Sequence, residues 1–293
     1  MSQTVYRSYD RAALDAQYNC RNLVADFDDH MARWVALSAE AFARFEVRRD
    51  LAYGARPAER LDLFLPDGDG PHPLMIFIHG GYWRSMDKDV HAFPALGFVP
   101  DGIALASINY TLAPAADMDE IVRECRAAVA WCRREAAALG IDPDRIHVSG
   151  HSAGGHLTAM MLATDWPSFG VDLPAGLVKS GCPISGLYDL EPIALTYLNA
   201  EVRLTDALVA RNSPVRLAPR GDPSMVVCAG GLESDEFHRQ QAALVDNWRG
   251  GLADIETVDM PGRHHFDVVT ALAEPDSALY RAAKRRIVGA SPG

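Results

Sequence analysis

His147-Val148-Ser149-Gly150-His151-Ser152-Ala153-Gly154-Gly155-His156 decides how the chain is read. An apolar run ends in Gly-x-Ser-x-Gly, and a helix-forming segment follows, Leu157-Thr158-Ala159-Met160-Met161-Leu162-Ala163. A strand that turns sharply into a helix leaves the central serine exposed above a sheet, with its backbone strained. Glycine suits positions 150 and 154 because such a turn leaves no room for a Cβ beside the serine. The pattern is short, so its weight comes from what surrounds it.

Upstream lies a second decisive run. Leu74-Met75-Ile76-Phe77-Ile78 is continuously apolar, as a strand buried on both faces should be. Alternating strands at 46–53 and 59–65 precede it. After it, strand and helix patterns alternate. Helical residues near 88–99 lead to a strand at 103–110, and a long helix is predicted over 118–139. Strands follow at 145–149 and 176–182. After residues 185–222 come a strand at 225–229, a helix over 236–248, a strand at 254–258 and a last helix over 268–287. Such alternation predicts an α/β fold, with a mostly parallel central sheet and helices on both faces. One domain over 1–293 is expected, with two additions. The first 45 residues read as a helical arm, with Met31, Trp34, Val35, Leu37, Ala41, Phe42 and Phe45 at helical spacing. Residues 185–222, with prolines at 192, 214 and 219, read as a small lid-like insertion.

Composition narrows the function. The 293 residues carry 39 acidic and 28 basic side chains, a formal charge of −11, which argues against a nucleic-acid partner. No apolar run approaches about 18 residues, so no membrane span is expected. Met1-Ser2-Gln3-Thr4-Val5-Tyr6-Arg7 has no apolar signal core, and a cytoplasmic protein is expected. The five cysteines, Cys20, Cys125, Cys132, Cys182 and Cys228, are odd in number and widely spaced, so they read as buried free thiols.

In an open parallel sheet, sites form at the carboxyl ends of strands. His79-Gly80-Gly81-Tyr82-Trp83 directly follows the buried strand. A His-Gly-Gly turn there offers backbone N–H groups to a developing oxyanion. The expected donors are Gly81 and Tyr82, with Ala153 after the serine. Ser152 as nucleophile needs a base, and the base needs an orienting acid, in the chain order serine, acid, histidine. Leu232-Glu233-Ser234-Asp235-Glu236 supplies the acid; Asp235 is favoured, at a loop–helix junction, with Glu233 as its rival. Arg263-His264-His265-Phe266 supplies the base; His265 is favoured, with an aromatic neighbour to buttress its ring, and His264 then faces elsewhere. Tyr18, Trp83 and Tyr188 are the expected substrate contacts. His79, His151, His156, His264 and His265 lack metal-binding spacing, so no metal and no cofactor is expected.

These motifs together resemble the arylformamidase (kynurenine formamidase) branch of the α/β-hydrolases. Leu14-Asp15-Ala16-Gln17-Tyr18-Asn19 and the segment from Tyr53-Gly54 to Leu61-Asp62-Leu63-Phe64 extend the resemblance over nearly the whole chain. It implies Ser152, Asp235 and His265 as a triad, and hydrolysis of N-formyl-L-kynurenine or of small acyl esters. The partner expected is then a small acyl substrate, and a homodimer is compatible with it. A carboxylesterase without amide activity and an idle binding protein on the same fold are the competing readings.

Overall fold

The computed structural model describes residues 3–289, so the first two residues of the N-terminal stretch lie outside it. Eight strands form one sheet: β1 (Glu46–Ala52), β2 (Arg60–Leu65), β3 (His72–Ile78), β4 (Ala104–Ile108), β5 (Ile141–His151), β6 (Val178–Ile184), β7 (Ser224–Val227) and β8 (Asp254–Thr257). Their spatial order is β8-β7-β6-β5-β3-β4-β2-β1. Pairing from β4 through β3, β5, β6 and β7 to β8 is parallel, and β1 and β2 join antiparallel at one edge. The central strands β3 and β4 are buried almost throughout, because helices cover both faces. β1 is the exposed edge. It carries Arg48, Arg49 and Asp50 and a register shift between Arg48 and Leu51, features that discourage pairing with another chain.

The helices follow the sequence with local differences. The arm holds α1 (Arg11–Tyr18), a tight turn at Cys20–Leu23 and α2 (Phe27–Arg44). Tyr9–Asp10 is extended rather than helical, paired with Thr4–Tyr6, and Asp10 caps α1 by accepting from the Ala13 N–H at 2.9 Å. The long helix predicted over 118–139 breaks at Glu135. α3 (Met118–Arg134) ends there, and one further turn is closed by Gly140 at φ 73°. α4 (Ala153–Leu162) follows the serine, and α5 (Asp235–Trp248) follows β7. The last predicted helix is also split. Pro275 interrupts it, Ser277 caps the new start through the Tyr280 N–H, and α6 covers Ala278–Val288. Residues 185–222 form the short helices Glu191–Ala194, Asn199–Val202 and Asp206–Asn212.

The arm is fixed against the far end of the chain. Tyr18 Oη donates to Glu236 Oε2 at 2.7 Å, Ser234 Oγ donates to the Gln17 carbonyl at 2.7 Å, and Trp34 Nε1 donates to the Phe266 carbonyl at 2.9 Å. Trp34 is buried, so that last bond satisfies an indole N–H that would otherwise cost stability. The five cysteines are buried free thiols. Among the described residues, no helix is long and apolar enough to cross a membrane.

Candidate active site

Ser152 stands between β5 and α4 with φ 58° and ψ −116°. This left-handed backbone is what a serine pushed out of a strand–helix corner must adopt. The surroundings over-determine it. Ser152 N donates to the Ile184 carbonyl at 2.8 Å, and Gly150 pairs with Ile78 on β3. A Cβ on Gly154 would lie 1.9 Å from the Ile78 carbonyl oxygen, and one on Gly150 would lie 2.4 Å from the Gly154 oxygen. Both contacts are to backbone, which cannot step aside. Gly154→Ala is therefore expected to cost at least the upper end of the about 1–3 kcal/mol typical of overpacking. At roughly 2–4 °C per kcal/mol for a large domain, Tm should fall by about 6 °C or more in a thermal melt. An unchanged Tm would mean the corner is not the tight junction described.

The pairing of Ile78 with Gly150 sets the loop after β3 beside the serine. Gly81, Tyr82 and Trp83 all have positive φ, at 99°, 50° and 58°. A Cβ on Gly81 would strike the Ser85 carbonyl at 2.1 Å, so only glycine fits there. Around this strained turn the side chains are anchored. His79 bonds the Gly80 carbonyl at 2.8 Å and Asn109 Oδ1 at 3.0 Å, and it stacks on Tyr110. Burial pushes the His79 imidazole down to about 4, so it stays neutral as a loop brace. Trp83 Nε1 donates to His156 Nδ1 at 3.2 Å, and His156 Nε2 bonds the Asn212 carbonyl at 2.7 Å. Among the described residues, no protein acceptor takes the N–H of Gly81, Tyr82 or Ala153. The Ala153 N–H also sits at the first position of α4, where helical N–H groups have no internal partner and the dipole favours an anion.

The carboxylate bonded to His265 is not the one favoured in the sequence. Glu233 Oε2 accepts from His265 Nδ1 at 2.6 Å, with both side chains almost fully buried. Its other oxygen accepts from the Gly230 N–H at 2.6 Å and from the Ser185 hydroxyl. Asp235 is exposed, in the first turn of α5, and points its charge at a helix N-terminus rather than at a base. The reason lies in the backbone. The Gly231 and Leu232 N–H groups bond the Met260 and Arg263 carbonyls, which holds this turn against the histidine loop. Residue 233 is then beside His265, and residue 235 has already entered the helix.

Burial opposes protonation of His265, but the Cys20 sulfur and the Glu233 carboxylate outweigh it and hold the imidazole above its ordinary range. Phe237 and Phe266 flank the ring at 4.7 and 5.2 Å between centroids. His151, beside the nucleophile, is held neutral by burial and by the neighbouring His265 and His91.

Ser152, His265, Gly81 and Tyr82 line one cavity of about 410 Å³. Phe27, Trp34, Tyr197 and Phe266 line it with aromatic surface, and Arg21 and Arg84 bring charge to it. Cys20 also lines it, its sulfur 3.3 Å from the Tyr82 hydroxyl. The three tyrosine and tryptophan contacts favoured in the sequence are not among the lining residues. Tyr18 is spent on Glu236 and Gln240, Trp83 on His156, and the Tyr188 hydroxyl accepts from the Gly186 N–H. All three are buried, so they hold the frame while other aromatics meet the cavity. Trp34, whose helical spacing reads as core, both packs in the core and reaches the cavity.

Comparison with known proteins places this geometry in a family. Residues 61–170 match the family described as BD-FAE. The kynurenine formamidase of Danio rerio is 31% identical over 244 residues, spanning 81% of each chain. The crystal structure of a Silicibacter sp. TM1040 protein assigned as a thioesterase is 33% identical, with a TM-score of 0.82 over 92% of this chain and 98% of that one. The carboxylesterase EstE1, cloned from a metagenomic library, shares the fold at a TM-score of 0.71 and 21% identity, over 90% of this chain and 96% of that one. A mostly parallel eight-stranded sheet, an elbow after its fifth strand and these relatives agree: the chain is a hydrolase of the arylformamidase or carboxylesterase type and belongs to the kynurenine formamidase family of α/β-hydrolases.

Proposed function

We propose that this chain is a serine hydrolase that removes a small acyl group from an arylamine, with N-formylkynurenine-type arylformamides as its substrate. The observation that carries this reading is the convergence on one cavity of Ser152, a Glu233-bound His265 and the loop of Gly81 and Tyr82. Neutral His265 takes the Ser152 hydroxyl proton as Oγ attacks the acyl carbon, and the Gly81, Tyr82 and Ala153 N–H groups receive the oxyanion. His265 then gives its proton to the leaving arylamine as the C–N bond breaks. Water, deprotonated by the same imidazole, attacks the acyl-serine and releases the carboxylic acid with Ser152 restored. Glu233 fixes the tautomer and balances the imidazolium that forms in each half-reaction.

The cavity fits a small aromatic substrate. A volume of about 410 Å³ falls in the range of small-molecule pockets. Arg21 and Arg84 offer guanidinium partners to a substrate carboxylate, although each already has a carboxylate neighbour, Asp28 and Glu201. Arg84→Gln is expected to raise KM for N-formyl-L-kynurenine about tenfold, the loss of one charge-assisted contact, and to leave KM for the uncharged p-nitrophenyl acetate within about twofold. Equal effects on both would remove Arg84 from substrate recognition.

The esterases and the thioesterase-assigned protein among the relatives support a second reading, a carboxylesterase of the same mechanism. The two separate on leaving group, since an anilide leaves only when protonated and a phenolate leaves readily. The test compares kcat/KM on N-formyl-L-kynurenine and p-nitrophenyl acetate. Amide turnover within about an order of magnitude of ester turnover supports the formamidase, and ester preference by several orders of magnitude replaces it with the esterase.

A further inference from the structure

A second constellation lies beside the histidine loop and outside the catalytic cavity. Asp26, His30 and His264 bring one ligand atom each to a common point, all within 4.8 Å of one another. His30 Nε2 is 2.9 Å from His264 Nε2 and 3.3 Å from Asp26 Oδ2. The two rings stand nearly perpendicular, at 85°. We propose that these three side chains form a binding site for a divalent cation of zinc type, which staples helix α2 to the loop carrying His265.

The donor set fits that ion. Two imidazole nitrogens and one carboxylate suit zinc, which takes such ligands at about 2.0–2.2 Å in tetrahedral geometry. Tetrahedral ligands at that radius sit about 3.3 Å apart; the two separations from His30, 2.9 and 3.3 Å, approach this, and the Asp26–His264 pair, within 4.8 Å, closes by rotation of the exposed Asp26 side chain. The fourth position falls to water, since Asp26 is mostly exposed and leaves an entry path.

A separate observation concerns Asp26. It occupies the N-cap position of α2, where an aspartate ordinarily accepts from the second or third helical N–H. Here it makes no such cap bond, and its carboxylate turns to His30 one helical turn on. The residue thus forgoes its usual local partner for a place beside the imidazoles. On the other side, the Asp267 carboxylate accepts from the His264 backbone N–H at 2.6 Å and lies 3.4 Å from His264 Nδ1, within reach of a proton placed there. In the ion-free state His264 Nδ1 accepts from the Phe266 N–H at 3.1 Å, so binding at Nε2 moves the ring proton to Nδ1, toward Asp267. His30 Nδ1 is buried without a hydrogen-bond partner, so no contact there locks its Nε2 into the donor tautomer. Without a cation, the alternative is a plain hydrogen bond between two imidazoles.

The test uses the full chain and zinc itself, with cobalt as a spectroscopic stand-in, and none of its readouts depends on turnover. Equilibrium dialysis against zinc is expected to load one ion per chain and to raise Tm. Cobalt should give tetrahedral ligand-field bands without a thiolate-to-metal band, which separates this site from the five cysteines. Even outer partners of metal ligands are worth about 10–100-fold in affinity, so Asp26→Asn should weaken zinc binding at least tenfold, and His30→Gln and His264→Gln further. Asp26→Asn alters only an exposed carboxylate, so folding is not at stake in that variant. Failure to bind one zinc, a thiolate band with cobalt, or undiminished binding in Asp26→Asn and His264→Gln would each overturn the proposal.

Discussion

Ser152→Ala is expected to lower kcat by about 10⁴-fold or more on any acyl substrate, the scale on which a triad nucleophile acts. The fold should survive. The backbone strain at residue 152 is imposed by the Ile184 hydrogen bond and the glycine contacts, and an alanine side chain is smaller than serine. KM should change little, because the aromatic and charged lining of the cavity is untouched. Steady-state kinetics with a Tm control measures the loss, and a fluorophosphonate probe should label the wild type and leave the variant unlabelled. Near-wild-type turnover in the variant would sink the serine mechanism. An unlabelled but folded wild type would favour an idle protein on the hydrolase fold.

The next largest effect separates two carboxylates only two residues apart. Glu233→Gln should lower kcat by roughly 10³–10⁴-fold, and Asp235→Asn should leave it within a few-fold. Glu233 accepts three hydrogen bonds with its two oxygens. A glutamine amide has only one acceptor atom, so it turns an NH₂ toward either His265 or the Gly230 N–H. The pH profile gives an independent readout. In the proposed mechanism the neutral imidazole is the base, so kcat/KM should rise as pH climbs through the His265 pKa. The wild-type limb is expected above the ordinary histidine range because the Cys20 sulfur and the Glu233 carboxylate favour the charged ring. Removing the Glu233 charge lowers that pKa and moves the limb toward acid. A limb that stays in place, or an Asp235→Asn variant as damaged as Glu233→Gln, would return the orienting role to Asp235.

What the sequence made legible was local. The elbow around Ser152 and the turn at Gly81 each lie within a few residues of a buried strand; Gly150 and Gly154 are required by contacts with the end of β3 and with each other, and Gly81 by the Ser85 carbonyl of its own loop. The mostly parallel character of the sheet follows from the alternation of strand and helix. The acid was harder. Asp235 and Glu233 are chemically equivalent as orienting groups, and the choice depends on where the chain enters α5, a boundary that hydrophobic periodicity leaves loose by a residue or two. Aromatic side chains were harder still. Tyr18, Trp83 and Tyr188 sit in segments near the site, but Tyr18 and Trp83 are claimed by the distant Glu236 and His156, and the Tyr188 hydroxyl by the Gly186 N–H two residues back, so all three serve as frame. Phe27 and Cys20 reach the cavity because the arm folds over it, which no pattern within residues 1–45 announces. The His30–His264 contact spans 234 positions, so ligand spacing could not reveal it.

The fastening of the arm to the last part of the chain has a consequence for how the protein is made. Trp34 meets its acceptor 232 residues later, and Tyr18 meets Glu236 after 218. At about 5–20 residues per second, a ribosome delivers that acceptor roughly 10–50 s after the indole has emerged. Through this interval Phe27 and Trp34 lack the Phe266 ring against which both pack. The central strands and the serine corner can assemble before the wait ends. The wall of the cavity cannot, because Trp34 and Phe266, which both line it, are 232 residues apart, so the enclosed site is complete only once synthesis has passed the histidine loop.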